Sequence, residues 1–500
     1  MKTSLIKRVS VFVLTLVILA ASLNTIALAA PKYKDVPDGK WFSEAISFVS
    51  EKGYFSGTGN GIFSPNSNMT RAMFVQVLAA ASGDDIASYD TDSYSDVPAG
   101  KWYSHSVAWA EKTGVASGVA NGIFSPDSNI TRESVCLMLV KFIEYKSLVP
   151  REVSKDNAAF ADNAKIASWS KSAVEKVRTW GMIGGKPGNM FDPKGNATRA
   201  ELAVIIMKLD EAMNKAYKIK VKNIDVVIPG LEKEYSFLHM SDLHLTLTDD
   251  TDPETAKYNQ AARGAAFLKE TGSDIKQEER FDDHIAFAKE KDVDFIAMTG
   301  DIIDAPSNGN INRVAAAVKD FGKETLFLLG NHDWNGDWIG EYQSNTQRSN
   351  SIPKFIESGI MLADEDYILV REYDEFVIIG IDDSNDQITF AEYSTVQKYI
   401  NKRKPIILML HVPLDIETLQ ADATAKWGRP ILLGNPVLSP NNNTKMFVNM
   451  IKAPNSTVVA VFAGHVHFDH EDIINEYTGA KQYTLGASLN GDCALVKIHG

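Results

Sequence analysis

Cysteine is almost missing from this chain: there are two, Cys136 and Cys493, each inside an apolar run and far from the other. That scarcity excludes a disulfide-stapled scaffold and a cysteine-ligated zinc site, and both thiols read as buried core residues rather than a bridge. Positive charge is short as well. With 51 Lys and Arg against 64 Asp and Glu, the net charge is -13, and no nucleic-acid-binding surface is expected, because sequence-independent binding relies on basic side chains. Long apolar runs are missing after residue 30, where no segment approaches the roughly 20 residues that a membrane-spanning helix needs. Histidine is missing from most of the first half: of ten, nine lie at or after His239. Whatever chemistry the chain performs belongs to that second part.

The first thirty residues differ from the rest. Lys2, Lys7 and Arg8 precede "VFVLTLVILAASL", which ends in "TIALAA". A charged start, a short apolar core and a small-residue site make a secretory signal peptide, with cleavage expected after Ala29 or Ala30. Its removal takes three positive charges and no acids, so the net charge goes from -13 to -16. The mature protein is expected to be exported and soluble, without a membrane span. A length of 500 residues is too great for one core and predicts two to four domains.

Next comes a threefold repeat. "YKDVPDGKWFSEAISFVSEKG" leads to "GNGIFSPNSNMTRAMFVQVLAA", and "YSDVPAGKWYSHSVAWAEKTG" leads to "ANGIFSPDSNITRESVCLMLVKF". A looser copy runs from "FADNAKIASWSKSAVEKVRTWG" to "PGNMFDPKGNATRAELAVIIMKL". Each reads as helix, Gly-rich turn, helix. In the first copy Trp41, Ala45, Phe48 and Val49 form an apolar stripe that Gly53 can end. The second helix opens at Thr70, and in the third copy Thr198 and Glu201 have the spacing of a capping box. One such pair cannot bury its own apolar face, so the three copies should pack as one domain.

These copies resemble three S-layer homology modules over about residues 31–213, by their Asp-Val-Pro and Trp near each start, the Phe-x-Pro turn and the Thr-Arg-Ala-Glu type motif. The resemblance implies an all-α pseudo-trimer bundle that binds pyruvylated secondary cell-wall polysaccharide without a covalent link. It assigns that binding to Asp35, Asp96 and Asp162, to Trp41, Trp102 and Trp169, and to Arg71, Arg132 and Arg199. A guanidinium can pair with a ketal carboxylate and an indole face can cover a sugar ring. The structural alternative makes each Trp a core residue, each Asp a cap and each Arg a surface residue. Asn163 replaces the valine of the other copies and Trp169 is shifted, which puts ligand binding by the third repeat in doubt.

Residues 214–230 read as a short linker running into an edge strand. The expected division is thus a signal peptide at 1–30, repeats at 31–90, 91–152 and 153–213, that linker, and a second domain at 231–500.

In the second domain five apolar runs each stop where metal-ligand side chains begin. "YSFLHM" leads to Asp242 and His244, "VDFIAMT" to Asp301 and Asp304, "TLFLLG" to Asn331, His332 and Asp333, "IILML" to His411, and "VVAVFA" to His465 and His467. Carboxyl ends of parallel strands form a common crevice, so these side chains are expected in one place. A second Asp-x-His triplet, Asp282 to His284 within "EERFDDHIAFAKEK", lacks such a run and reads as a solvated helix face.

The ordered set resembles the calcineurin-like metallophosphoesterases across about residues 231–500. The resemblance implies an α/β four-layer fold, a two-sheet β-sandwich flanked by helices, with two divalent metal ions. Asp242, His244, Asp301 and His467 would hold one, and Asp301, Asn331, His411 and His465 the other, with Asp301 bridging. Oxygen and imidazole donors without thiolate suit Mn, Zn, Fe or Mg. Paired cations would neutralise a phosphoester while a bridging water loses its proton and attacks in line. His332 would serve the leaving oxygen and Asp304 would orient His332, the bland alternative for Asp304 being a turn cap. Asp333 receives no chemical step.

Segments 248–285 and 418–445 are expected to border the pocket, the second bringing Trp427 and Arg429. Nothing separates phosphate monoesters from diesters. The sequence thus describes a cell-surface phosphoesterase held on the wall of a bacterium with an S-layer-type envelope, suited to phosphate scavenging or envelope polymer turnover. The competing reading is a catalytically inactive S-layer or wall-binding protein, against which the full ligand set argues.

Overall fold

The computed structural model describes residues 33–90, 93–153, 159–335, 345–361 and 367–500, so the expected signal peptide lies outside the described residues. The chain divides into two units, one ending at Ala216 and one spanning Tyr217–Gly500.

The first unit is helical. Among the described residues each repeat contributes two helices, which pair along the chain but not in space: α1 (Ser43–Glu51) and α2 (Arg71–Ser82), α3 (Ser104–Lys112) and α4 (Arg132–Tyr145), α5 (Lys171–Thr179) and α6 (Arg199–Lys215), with α1 packing on α6, α2 on α3 and α4 on α5. The second member of each pair starts at a threonine whose hydroxyl accepts a backbone N–H three residues on: Thr70 from Met73, Thr131 from Ser134 and Thr198 from Glu201. In the third, Glu201 reaches back to the Thr198 N–H at 2.8 Å, completing the capping box. One apolar cluster joins all three pairs, with Phe63, Phe124 and Phe191 at its centre. Trp41 does not belong to the buried stripe of α1. It lies before the helix and is exposed, and Ala45, Ile46 and Val49 form the buried face instead.

The repeats close on one another. The Arg71 N–H donates to the Ser128 carbonyl at 2.9 Å, Arg132 to Gly195 at 3.0 Å, and Arg199 back to Ser67 of the first repeat at 2.9 Å. No repeat is terminal, so each apolar face has a neighbour.

The second unit holds two mixed sheets, ordered β1-β11-β2-β3-β4 and β5-β6-β7-β8-β10-β9. The first contains β1 (Lys220–Val227), β2 (Tyr235–Met240), β3 (Phe295–Thr299), β4 (Glu324–Leu328) and β11 (Asp492–His499). The second contains β5 (Leu369–Glu372), β6 (Val377–Gly380), β7 (Ile406–Met409), β8 (Val458–Ala463), β9 (His470–Asn475) and β10 (Ala480–Thr484). Phe237, Phe295 and Leu326 of the first sheet share a core with Ile378, Ile407 and Phe462 of the second, which makes a sandwich. The other face of the second sheet packs on helices α11 (Phe390–Asn401) and α13 (Asn442–Ile451). Among the described residues the unit has five more α-helices: α7 (Glu254–Thr271), α8 (Gln277–Glu290), α9 (Asn308–Phe321), α10 (Asn345–Glu357) and, after β7, α12 (Glu417–Trp427).

Strands β2, β3 and β4 are parallel, as are β6, β7, β8 and β10. All five ligand-bearing runs are therefore strands with their carboxyl ends at one edge of their sheet. Within residues 214–230 the chain enters β1, an edge strand that pairs along its whole length with β11 and belongs to the second unit. One expectation needs correction. The Asp282–His284 triplet is on a helix, α8, but only Asp282 is solvated. His284 is fully buried with Nδ1 2.6 Å from the Arg280 carbonyl, and Asp283 accepts the Lys218 N–H at 2.7 Å.

Candidate metal centre

The ligand loops require unusual backbone. Asp242, His244, Asp301, His465 and His467 all have positive φ, between 51° and 70°, a region that costs residues with a Cβ about 1–3 kcal/mol each. Backbone pairing holds them there: the Asp242 N–H donates to Gly300 at 3.0 Å and the His244 N–H to Asp301 at 2.9 Å. Glycines allow the loops to touch. A Cβ on Gly330 would stand 2.2 Å from Asp301 Oδ1, and one on Gly464 would stand 1.8 Å from Ser241 Oγ.

The side chains then converge. Ligand atoms of Asp242, His244 and His467 lie within 4.8 Å of one another, and so do those of Asp301, His411 and His465. A third such group, His244, Asp301 and His332, connects the two. His244 Nε2 is 3.2 Å from His467 Nε2, and His467 Nε2 is 3.4 Å from Asp242 Oδ1. His411 Nδ1 lies 2.9 Å from the Thr299 carbonyl, which can only accept, so this nitrogen carries a proton. Its Nε2 then faces Asp301 Oδ2 and Asn331 Oδ1, both at 3.3 Å, and His465 Nδ1 at 3.2 Å.

Groups that offer mainly lone pairs do not gather in a buried place without a positive charge among them. Burial opposes a proton on His411, but the Asp301 carboxylate reverses this and holds its pKa well above the usual value. Burial also opposes charge on Asp242, yet its bond to His467 holds it down at about 2. The site is an anionic pocket built of nitrogen and oxygen donors, and the donor set fits divalent cations.

Asp304 lies behind this set. Its Oδ1 is 3.3 Å from Nδ1 of His244 and 3.3 Å from Nδ1 of His332. Arg263 of α7 grips both carboxylate oxygens at 2.9 Å. Burial pushes Asp304 up, but the bonds from His244, His332 and Arg263 keep it well below the ordinary range. For His332, burial lowers the pKa while Asp301 and Asp304 raise it further, and the net shift is upward.

Three residues with no task assigned from the sequence hold this framework. Asp333 accepts the backbone N–H groups of Asp301 at 2.8 Å, Ile303 at 3.0 Å and Gly330 at 2.6 Å. Asp383 accepts those of His411 at 2.8 Å and Val412 at 3.0 Å. Burial raises these carboxyls to about 7 and about 8 respectively. Arg263 is the third. Asp383 carried a signal, since the apolar run of β6 ends in Asp382 and Asp383 just as the five ligand runs end in ligands. Arg263, inside a helical stretch, carried none.

A cavity of about 280 Å³ opens over the cluster, lined by Asp301, Asn331, His332, His465 and His467 and by Trp427 and Arg429 of the 418–445 segment.

In the first unit the expected polysaccharide residues divide into two kinds. Asp35 accepts the N–H groups of Phe63 and Ser64, Asp96 those of Phe124 and Ser125, and Asp162 those of Phe191 and Asp192, all at 2.7–2.9 Å. Arg71, Arg132 and Arg199 are buried, at 8%, 4% and 8% exposure, rather than on the surface. Each stands over a phenylalanine ring of the next repeat and donates Nε to that residue's carbonyl: Phe124, Phe191 and Phe63 in turn. These six charges fasten the fold. Trp41, Trp102 and Trp169 are 65%, 59% and 51% exposed, so none is a core residue. Arg71 and Trp169 meet in one cavity of about 380 Å³ with Ser117, Gly118 and Lys141 of the second repeat.

Comparison with known proteins agrees with this division. Residues 235–469 match the family model of the calcineurin-like phosphoesterases, and residues 32–73, 93–136 and 159–203 each match the S-layer homology domain. The chain carries a calcineurin-like phosphoesterase domain behind three S-layer homology domains. An S-layer protein of Bacillus thuringiensis subsp. finitimus is 30% identical over 210 residues, 42% of this chain and 25% of that protein. An amylopullulanase of Thermoanaerobacterium thermosulfurigenes is 30% identical over 179 residues, 36% of this chain. This chain spans only 9% of the amylopullulanase. Among solved structures, a dimetal phosphatase from Danio rerio aligns with 51% of this chain and 88% of its own, at 12% identity and a TM-score of 0.35.

Proposed function

We propose that the protein is a cell-surface phosphoesterase that hydrolyses phosphate mono- or diesters at the cluster around Asp301 and is held on the envelope by its S-layer homology domains. The observation that carries this reading is the meeting of Asp242, His244, Asp301, Asn331, His411, His465 and His467 from five strand ends. Asp242, His244, Asp301 and His467 would hold one divalent ion and Asp301, Asn331, His411 and His465 a second. Two such ions, Mn, Zn, Fe or Mg, would neutralise phosphate oxygens and acidify a water there.

The chain's own groups supply the rest. His332 keeps Nδ1 toward Asp304 and lines the cavity, so it can hand a proton to the departing alcohol. Asp304 and Arg263 keep that ring in place. The low pKa of Asp301 keeps it ionised, as a shared ligand must be.

The helical unit supports anchoring. Its cyclic bonding suits a pseudo-trimer, and the exposed indoles, of which Trp169 lines the 380 Å³ cavity, could cover sugar rings of a pyruvylated wall polysaccharide. S-layer homology domains and S-layer relatives locate the protein at the cell surface.

The test is hydrolysis of p-nitrophenyl phosphate and bis-p-nitrophenyl phosphate by the full mature chain, stripped of metal and resupplied with Mn, Zn, Fe or Mg in turn. Metal-dependent turnover is expected. Equal rates with and without metal would overturn the reading.

A further inference from the structure

The 280 Å³ cavity has two unlike walls. One is the ligand cluster. The other is Trp427, Ile431 and Leu438, with Asp386 and Arg429 at its polar points.

Trp427 is fixed but only partly covered, with the Lys426 ammonium 5.4 Å from its ring centroid. Its indole N–H donates to the Val466 carbonyl at 3.0 Å, and its ring meets His467 edge-on with centroids 5.4 Å apart. The preceding Lys426 bonds the His467 carbonyl at 2.7 Å. The end of α12 is thus attached to the loop that carries two of the ligands. Even so, the indole remains 40% exposed. A large ring whose plane is set and whose surface is left to a cavity is prepared for another flat group. Arg429, exposed and without a hydrogen bond or ion pair to any described residue, adds positive charge at the same opening.

We propose that Trp427 is a specificity-determining residue and that the preferred substrates are phosphoesters of nucleosides, the base lying on the indole. This deepens the phosphoesterase reading and rests on it. A sugar ring in the same place would set hydroxyls against Ile431 and Leu438, and each unpaired one would weaken binding. A nucleobase covers those apolar groups with its faces and turns its polar edge toward the part of the cavity lined by Asp386 and Arg429. Open-chain polyol phosphates leave the indole uncovered.

The experiment uses the metal-loaded full chain and compares a nucleoside 5′-monophosphate, a hexose phosphate and glycerol phosphate. Binding is read by calorimetry and hydrolysis by phosphate release, in wild type, Trp427→Ala and Trp427→Phe. The wild type should favour the nucleotide over glycerol phosphate by about tenfold or more in kcat/KM, since stacking on an aromatic is worth about that factor. Trp427→Ala should lower that ratio about tenfold, mainly through KM, and Trp427→Phe should restore most of it. A hexose phosphate favoured over the nucleotide, or a ratio unchanged in Trp427→Ala, would overturn the inference. Glycerol phosphate turnover without nucleotide preference counts against this inference alone. Nucleotide binding that depends on Trp427, with no ester hydrolysed, supports the ring site and counts against the phosphoesterase reading.

Discussion

Asp304 Oδ1 stands 3.3 Å from His332 Nδ1, and the same oxygen stands 3.3 Å from His244 Nδ1. One carboxylate thus sets the ring of a ligand and the ring of the proposed proton donor, while Arg263 holds both of its oxygens. Arg263→Gln should lower kcat about 10- to 100-fold with little change in KM, the usual effect of losing an outer partner of a metal site. Arg263→Lys should recover only part, because an ammonium cannot reproduce the two-pronged bond. Steady-state kinetics checks both. Loss confined to KM would show that Arg263 serves substrate binding instead.

Gly330 tests the close approach of the loops. Gly330→Ala would put a methyl group 2.2 Å from Asp301 Oδ1, so the loops must separate. Metal affinity measured by calorimetric titration should fall at least about tenfold, a misplacement cost typical of ligand geometry. Unchanged affinity would mean that the loops are not held as described.

The carboxylates and the indoles proposed for the anchor can be tested separately. Asp35→Ala leaves the N–H groups of Phe63 and Ser64 without their acceptor, and should destabilise the helical unit by about 1–3 kcal/mol. Thermal unfolding of the full chain reads this as an earlier first transition. Trp41→Ala, Trp102→Ala and Trp169→Ala together should leave that transition in place and reduce retention on washed cell walls. Wall retention equal to wild type would remove the indoles from the binding surface.

The metal-free protein should lose stability between pH 7 and pH 9. Asp333 and Asp383 are raised to about 7 and about 8 by burial, and a carboxyl raised on folding contributes stability that disappears as pH climbs through its folded pKa. His411, also raised, acts in the same direction. His239 and His465, lowered to about 3, are already neutral in both states there and add no slope. Calorimetry at constant ionic strength gives the sign. A melting temperature that rises over this range would contradict the burial of these carboxyls.

Much of the site was legible because each ligand follows an apolar run, and the fold needs both features at the same strand end. The seven candidate ligands and the five strands that carry them could be read in this way. Arg263 could not, since its partner lies 41 residues away and helix periodicity says nothing of it. The burial of Arg71, Arg132 and Arg199 was hidden for a related reason. An arginine after a helix cap looks exposed, and only the cyclic packing of the repeats places it against a neighbour's phenylalanine. His284 shows the reverse error: polar neighbours in sequence disguised a fully buried ring.

The proposed site takes two divalent ions that share Asp301. Its most direct test is metal content per chain, by elemental analysis after dialysis, for wild type and Asp301→Asn with folding checked by circular dichroism. Two ions per wild-type chain are expected, and in the folded variant fewer than two with ester hydrolysis abolished. One ion or none in the wild type, or wild-type turnover in Asp301→Asn, would contradict the two-ion site.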